Sequence, residues 1–389
     1  MAREYKDSGI EWIGRIPKKW KTCRFKNFMV LRTEPSTSEN KIGLENIESE
    51  SGHFIQTEGK FDGNGVQFHK GEIVYGKLRP YLRKVWLASF DGNAVGDFFV
   101  FRNKNNSYAN YLKWLLLSDG FAEAVNSSVY GAKMPRVSSD FILTLPYCIP
   151  PLPEQQRIAD YLDKKCGEID ELISLQEQMI AQLTDYKQSV ITEAVTKGLN
   201  PDAELVPSGI DWIGDVPKGW RVAKAKYFVF INNGSDPQEE GDIPVYGSGA
   251  SSFKTCGEYK EGPTVLIGRK GATLHIPHYI EGKYWNVDTA FDVKIKKGMS
   301  LRFYYYLAIC FDYKYYISQT TLPGMAQSSY YNMNIPLPPL SEQQSIATYL
   351  DTKCSEIDSL ISIKQQKIET LKDYKKSVIY EAVTGKMTV

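Results

Sequence analysis

Several absences narrow what this chain can be. Its 389 residues hold only six cysteines and four histidines. None of Cys23, Cys148, Cys166, Cys256, Cys310 and Cys354 falls in CxxC spacing, which argues for free thiols rather than a zinc ribbon or a disulfide framework. His275 and His278 form the only close histidine pair, with no clustered Cys or carboxylate to complete a metal site. Lys and Arg number 47 against 46 Asp and Glu, so no global basic field announces nucleic acid, although a local basic face can hide inside a neutral total. No apolar run approaches about 18 residues, and MAREYKDSGIEW has no apolar core for a signal peptide. The expectation is a soluble, cytoplasmic protein with no membrane association. There is no GxxxxGK[ST] phosphate loop, and no glycine-rich loop accompanied by an Asn/Asp-Pro-Pro-aromatic site, which excludes an ATP motor or a DNA methyltransferase. Acidic-x-Lys triplets such as Glu58–Lys60, Glu281–Lys283 and Asp292–Lys294 are expected by chance at this composition. Neither a cofactor nor a metal is expected, and the chain reads as a recognition protein rather than a catalyst.

What is present is a partial duplication. PPLPEQQRIADYLDKKCGEIDELISLQEQMIAQLTDYKQSVITEAVT (Pro150–Thr196) returns as PPLSEQQSIATYLDTKCSEIDSLISIKQQKIETLKDYKKSVIYEAVT (Pro338–Thr384), with 32 of 47 paired positions identical. A second repeat pairs SGIEWIGRIPKKW (Ser8–Trp20) with SGIDWIGDVPKGW (Ser208–Trp220). Between them lie residues 21–148 and 221–335, which hardly resemble each other. One scaffold carrying two unlike heads implies one task performed on two targets.

After Pro150, Pro151 and Pro153, the segment from Glu154 to Thr196 contains no proline and only Gly167. Apolar side chains fall at Ile158, Leu162, Cys166, Ile169, Ile173, Ile180, Leu183, Val190 and Ala194, and again at Ile346, Leu350, Cys354, Ile357, Ile361, Ile368, Leu371, Val378 and Ala382. Steps of three and four make one stripe on a helix about 60 Å long. So long a stripe is most cheaply covered by its own copy, and the order head, helix, head, helix closes most simply as an antiparallel coiled coil about a pseudo-twofold axis. The alternative is two helices that each pack only on a neighbouring head. Gln176 and Lys364 occupy stripe positions and are candidates to fix register, while Met179/Lys367 reads as outside the seam. The N-terminal segment supplies what the second copy lacks at its end, so the repeat is circular and the chain ends are expected to meet.

In the heads, Glu72–Tyr75, Val95–Arg102, Thr264–Ile267 and Ala290–Ile295 read as strands, with helices at Ala109–Ser118 and around Leu301–Tyr316. This gives an α+β class: two mixed globular heads joined by two long helices. Two loops in each head carry groups suited to phosphate or base. GKLRPYLRK offers Lys77, Arg79, Tyr81, Arg83 and Lys84, and GRKGATLH offers Arg269, Lys270, Thr273 and His275. SSVYGAKMPR offers Tyr130, Lys133 and Arg136, and TTLPGMAQSS offers Gln327 and Ser328. Arg supplies a fork for guanine or phosphate, Lys a point charge, and Gly lets backbone amides approach an anion. A solvated charged loop is the competing explanation for each singly. The basic run Lys18, Lys19, Lys21, Arg24 and Lys26 reads as surface, and Trp12, Trp20, Trp212 and Trp220 as anchors between head and helix rather than stacking platforms.

The two PPLxEQQxIAxYLDxK helices and the doubled SGIxWIGxxPxxW resemble, along the full chain and in order, the specificity subunits of type I restriction-modification systems. The resemblance implies target-recognition domains at 1–148 and at 199–336 (the latter with a linker), and coiled-coil helices at 149–198 and 337–389. It further implies recognition of a bipartite, asymmetric double-stranded DNA site, one half-site per head, with the helices as a ruler. The subunit would be non-catalytic, binding two modification (methyltransferase) subunits and ATP-dependent restriction subunits. Inserting or deleting about a heptad in both helices should then alter the tolerated gap and leave the half-sites unchanged. The rival readings are a single-chain restriction enzyme or methylase with duplicated recognition domains, and a coiled-coil scaffold that never touches DNA.

Overall fold

The computed structural model of the chain describes residues 3–36, 38–59, 61–129, 134–249, 251–317 and 323–389. The chain forms two compact units, Met1–Glu177 with Gln366–Val389, and Gln178–Gln365. Each long helix, Leu152–Lys197 and Leu340–Val383, therefore contributes one half to each unit.

The first helix begins two residues before the expected Glu154. Pro153 lies inside its first turn, where a missing N–H costs nothing because that donor has no intrahelical partner. The amides of Glu154 and Gln155 both turn back to the Pro151 carbonyl, at 2.8 and 3.0 Å. At the other ends, Gly198 and Gly385 take left-handed backbone (φ +76° and +73°), which stops each helix.

In the first unit the opening turns of the first helix (Ile158, Ala159, Leu162, Cys166) share a core with the closing turns of the second (Val378, Ile379, Ala382, Val383). In the second unit the closing turns of the first helix (Ile191, Ala194, Val195) meet the opening turns of the second (Ile346, Leu350, Cys354). Both pairings are antiparallel. Each unit also holds one ion pair of the same kind with the helices exchanged. Lys375 Nζ reaches Asp170 at 2.7 Å in the first unit, and Lys187 Nζ reaches Asp358 at 2.7 Å in the second. The helices thus pair with each other as well as packing on the heads, so packing on a head alone does not describe them.

Burial of the stripe is uneven. Ile158, Leu162, Ile169, Ile346, Leu350, Ile357 and Ile368 are buried, whereas Ile173, Ile180, Leu183, Ile361 and Leu371 are only half-buried. Near the middle a helix has one neighbour rather than a whole head, and a single neighbour covers less of its surface. Gln176 is buried in the stripe, as its position requires. Lys364 Nζ lies 3.2 Å from Met179 Sδ, so Met179 is half-buried rather than outside the packed surface.

The two heads share a topology despite unlike sequences. In the first, strands run in the order Met29–Arg32, Phe98–Asn103, Ile73–Gly76, Val85–Leu87, all antiparallel. In the second the order is Val229–Asn233, Ala290–Ile295, Thr264–Gly268, His278–Ile280. One face of each sheet packs on the head's helices and the long helices. The other face carries a small second sheet, over Ile42, Phe68, Val74, Trp86 and Val100 in the first head and over Val245, Cys256 and Val287 in the second. Two expected elements are broken. The run Val95–Arg102 splits at Gly96–Asp97, where Gly96 sits at φ +91°, and the expected helix ends at Ile309 before a short turn of helix, Tyr313–Tyr316.

Each head is fastened to its long helix by a pair of polar residues from the repeated segment. Buried Gln155 accepts the Tyr108 amide (2.8 Å) and donates to the Asn106 and Pro150 carbonyls (3.3 and 2.9 Å). Gln343 accepts the Ser300 amide (2.8 Å) and donates to the Gly298 and Pro338 carbonyls (3.0 and 2.9 Å). Asp163 accepts from Trp114 Nε1 (2.8 Å) and Lys113 (3.2 Å), and Asp351 from Arg302 and Tyr306 (both 2.6 Å). The repeated tryptophans also have structural surroundings. Trp20 is fully buried, Trp220 Nε1 donates to Glu342 at 3.1 Å, and the Trp12 carbonyl accepts the Tyr380 hydroxyl at 2.8 Å. The chain ends do meet: Arg3 donates to the Met387 carbonyl at 3.3 Å and pairs with Glu154.

Candidate nucleic-acid interface

The two loops proposed in each head are brought side by side. In the first, Leu78 bridges Arg136, the Arg79 amide donates to Pro135 O (2.8 Å), and the Val137 amide to Lys77 O (3.2 Å). In the second, Lys270 bridges Gly324, the Gly271 amide donates to Pro323 O (2.9 Å), and the Met325 amide to Arg269 O (2.9 Å). Lys77 and Arg269, Leu78 and Lys270, and Arg79 and Gly271 are therefore equivalent positions. Both loops leave a central strand at a glycine: a side chain at Gly268 would collide with the Leu274 backbone, and one at Gly76 would press on Leu44 and Lys84. The third position needs left-handed backbone in both heads. Gly271 supplies it freely at φ +113°, and Arg79 adopts it at φ +50°, an uncommon state for a side chain-bearing residue.

The loop cations divide into presented and spent. Arg79 is exposed with no ion-pair partner among the described residues, and Tyr81 beside it is also exposed. Arg83 is buried, also left-handed (φ +48°), and paired with Asp119 and Glu50, so it holds the loop from beneath. Lys84 donates to the Leu44 and Ile47 carbonyls at 2.8 and 2.6 Å. Arg83 and Lys84 are thus bonded within the head rather than presented, unlike Arg79. Lys77 and Arg136 converge on Asp97. Arg136 Nε and Nη2 lie 3.1 and 2.9 Å from its two carboxylate oxygens, and Lys77 Nζ is at 3.7 Å. The Arg136 bond is the main cause holding the Asp97 carboxyl below its ordinary range. A depressed carboxyl contributes stability above the unfolded value of about 3.9 and loses it as pH falls through its folded value, so the clamp is complete at neutral pH. Tyr130 and Lys133 lie outside the described residues.

In the second head Arg269 is half-buried over the Phe291 ring (5.8 Å), donates to the Asp288 carbonyl at 3.3 Å, and is joined by Lys270, 3.8 Å from the Asp288 carboxylate. Thr273 is half-buried, and His275 is exposed, its ring 6.4 Å from that of Tyr313 in a T-shaped arrangement. Ser328 is exposed, and the Gln327 side-chain amide donates to the Ile231 carbonyl, bonding to the sheet. Asp97 and Asp288, which aim the cations, were not legible. They follow other strands and approach the loops only through sheet pairing.

No group of three or more His, Cys, Asp or Glu among the described residues could hold a metal ion. Asp292 of the Asp292–Lys294 triplet is buried and bonded to Lys260 (2.6 Å) and Asn232 (2.8 Å), leaving no open carboxylate for a metal. All six cysteines are free, and burial raises their thiols, Cys166 to about 12.

Two heads of one topology, each bringing a cationic loop beside a second loop and each clamped to a duplicated helix pair, define a modular recognition protein. The chain matches the type I restriction modification DNA specificity domain at residues 15–185 and 217–373. It is 25% identical to the putative type I restriction enzyme MjaX specificity subunit of Methanocaldococcus jannaschii, over 97% of this chain and 96% of that one. It is 26% identical to the EcoDI specificity subunit of Escherichia coli over 46% of this chain and 42% of the other. A chain from a structural study of complex assembly and conformational transition of the type I R-M system matches with a TM-score of 0.78 at 20% identity, covering 96% of this chain and 99% of that one. The HsdS subunit from Thermoanaerobacter tengcongensis matches at 0.55 and 19% identity, covering 96% and 98%. The last two likenesses bear on fold. The chain belongs to the type I restriction-modification DNA specificity family, with a role in DNA-sequence specificity within such a complex rather than in its catalysis. No helix among the described residues is long and apolar enough to cross a membrane.

Proposed function

We propose that each head reads one half of a bipartite, asymmetric DNA site, with the paired helices setting the gap between the halves. The observation that carries this reading is the recurrence of one loop pair, at equivalent backbone positions, in two heads of unlike sequence. In the first head Arg79 and Tyr81 are presented to DNA, with Lys77 and Arg136 held by Asp97. In the second, Arg269, Lys270, His275 and Ser328 take that place. Expression of this chain in the bacterial cytoplasm with a modification subunit, followed by single-molecule methylome sequencing, is expected to reveal one methyladenine motif of two unlike half-sites at fixed separation. An assembled complex that yields no motif would sink the reading and favour a scaffold that never touches DNA. Activity of the chain alone would favour the single-chain enzyme. In the same system Arg79→Ala is expected to weaken binding by about 1–3 kcal/mol through the first half-site only. Unchanged affinity at that half-site would remove the loop from the interface.

We further propose that two modification subunits bind one chain, with restriction subunits joining that assembly. Beside the buried stripe, each helix carries a second apolar row: Tyr161, Leu172, Leu175 and Tyr186 on the first, Tyr349, Leu360, Ile363 and Tyr374 on the second. At about 100° per residue these four positions fall within an arc of about 60°. Leu172, Leu175, Tyr186, Leu360, Ile363 and Tyr374 are between 44% and 59% exposed, more than isolated surface apolar residues require. A row repeated on two helices fits one partner bound twice. Native mass spectrometry of the complex is expected to give two modification subunits per chain, and a single copy would refute the stoichiometry.

A further inference from the structure

Resting on the reading above, we propose that each head carries a second DNA contact, a strip of cations along the shared frame that grips backbone phosphates without reading sequence. In the strand and turn that enter each head, Lys21, Arg24 and Lys26 stand where Arg221, Lys224 and Lys226 stand in the other. Their neighbours do not match: Thr22 faces Val222, Cys23 faces Ala223, Phe25 faces Ala225 and Asn27 faces Tyr227. Charge is kept while Lys and Arg exchange freely, the pattern of a requirement for charge alone.

The far ends of the two central strands add a further matched pair each. Arg102 and Lys104 correspond to Lys294 and Lys296, because Phe98 pairs with Gly76 as Ala290 pairs with Gly268. Lys104 Nζ donates to the Lys26 carbonyl at 2.6 Å, and Lys296 Nζ to the Lys226 carbonyl at 2.7 Å, which joins strand and entry turn into one surface in each head.

None of these ten cations has a carboxylate partner among the described residues, although nine are exposed and Lys296 is half-buried. Their neighbours show the contrast: Lys18 pairs with Glu4 and Lys218 with Glu204, both at 2.9 Å. Glu34, within electrostatic reach of Arg102, is paired with Arg32 at 3.4 Å. In the second head aromatic rings add to the surface, with Lys296 over Phe230 (4.1 Å) and Lys226 over Tyr227 (5.2 Å). Five uncompensated cations on a chain of near-zero net charge are a local positive surface whose natural complement is a polyanion.

The spacing suits a duplex. The recognition loops leave at Gly76 and Gly268, opposite Phe98 and Ala290, and Arg102 and Lys294 lie four residues further along the neighbouring strands. At about 3.4 Å per residue that is about 14 Å, close to the roughly 12 Å width of a major groove. A loop over base edges thus places the strip near the phosphates that flank the groove.

The test uses the chain assembled with modification subunits and two triple variants, Arg24→Gln/Lys26→Gln/Arg102→Gln and Lys224→Gln/Lys226→Gln/Lys294→Gln. Lys104 and Lys296 are left in place because they hold the surface together. Each triple variant is expected to lose affinity for cognate and unrelated duplexes by the same factor. The slope of log affinity against log salt should become shallower by about 1 per cation removed, with the methylated motif unchanged. Lys18→Gln, whose charge is already spent on Glu4, should change neither. Unaltered affinity and slope in both triple variants would overturn the proposal. So would loss confined to cognate DNA, which would make the strip a base reader, or failure to assemble with DNA affinity retained, which would make it a protein-docking surface. A wild-type complex that binds no DNA would instead refute the underlying reading.

Discussion

Inserting three heptads into each long helix at facing positions is expected to widen the gap between the two half-sites by about nine base pairs and to leave both half-sites unchanged. Twenty-one residues add about 31 Å at 1.5 Å each, and DNA rises about 3.4 Å per base pair. Phase makes three heptads the informative length. A heptad changes helix rotation by only about 20°, whereas one heptad's rise, roughly 10 Å, corresponds to about a quarter to a third of a DNA turn. One heptad lengthens the rod but also shifts the second head by about a third of a turn around the duplex, while three restore nearly a full turn of about 34–36 Å. Both helices run unbroken through the residues where the chain passes from one unit to the other, so an insertion there touches neither head. The facing positions follow from the ion pairs Asp170–Lys375 and Lys187–Asp358. Methylome sequencing reads the outcome directly. An unchanged gap would show that the helices are not the ruler, and altered half-sites would show that the heads are not independent readers.

Gln343→Leu is expected to cost the second unit about 3 kcal/mol or more, and Gln155→Leu to do the same to the first. Gln343 satisfies the Ser300 amide and the Gly298 and Pro338 carbonyls, and leucine, similar in bulk, leaves three polar groups without partners in a buried place. Each such group costs about 1–3 kcal/mol, partly recovered if water enters. The neighbouring Gln344→Leu is the control, since its side chain is exposed. Denaturant midpoints at constant m-value would measure the difference. Equal midpoints for the two variants would mean that the head is not fastened through this residue.

Much of this was legible because the duplication displayed it. Ile158, Leu162, Ile346 and Leu350 announced the packed stripe through spacing alone, and the repeated SGIxWIG marked where each head begins. The strands at Ile73–Gly76 and Ala290–Ile295 followed from β-branched runs bounded by turn residues. The QQ in PEQQ and SEQQ was visible but ambiguous, because nothing in a pair of glutamines says that Gln155 turns inward and Gln156 outward.

By itself, the sequence determined what periodicity and composition can encode: two long amphipathic helices, two unlike heads, no membrane span among the described helices, and the loops that carry cations. Tertiary structure alone decided which cations are free. Arg79 and Arg83 stand four residues apart in one loop, yet one is presented to solvent and the other is buried against Asp119 and Glu50. Likewise Lys18 is spent on Glu4 while Lys26 has no carboxylate partner among the described residues, and Arg136 depends on Asp97, 39 residues away in the chain. A side chain's charge is a local property readable from its letter. Its availability depends on the partners that sheet pairing and burial bring within a few ångströms, and those contacts are set by long-range packing rather than by neighbours in sequence.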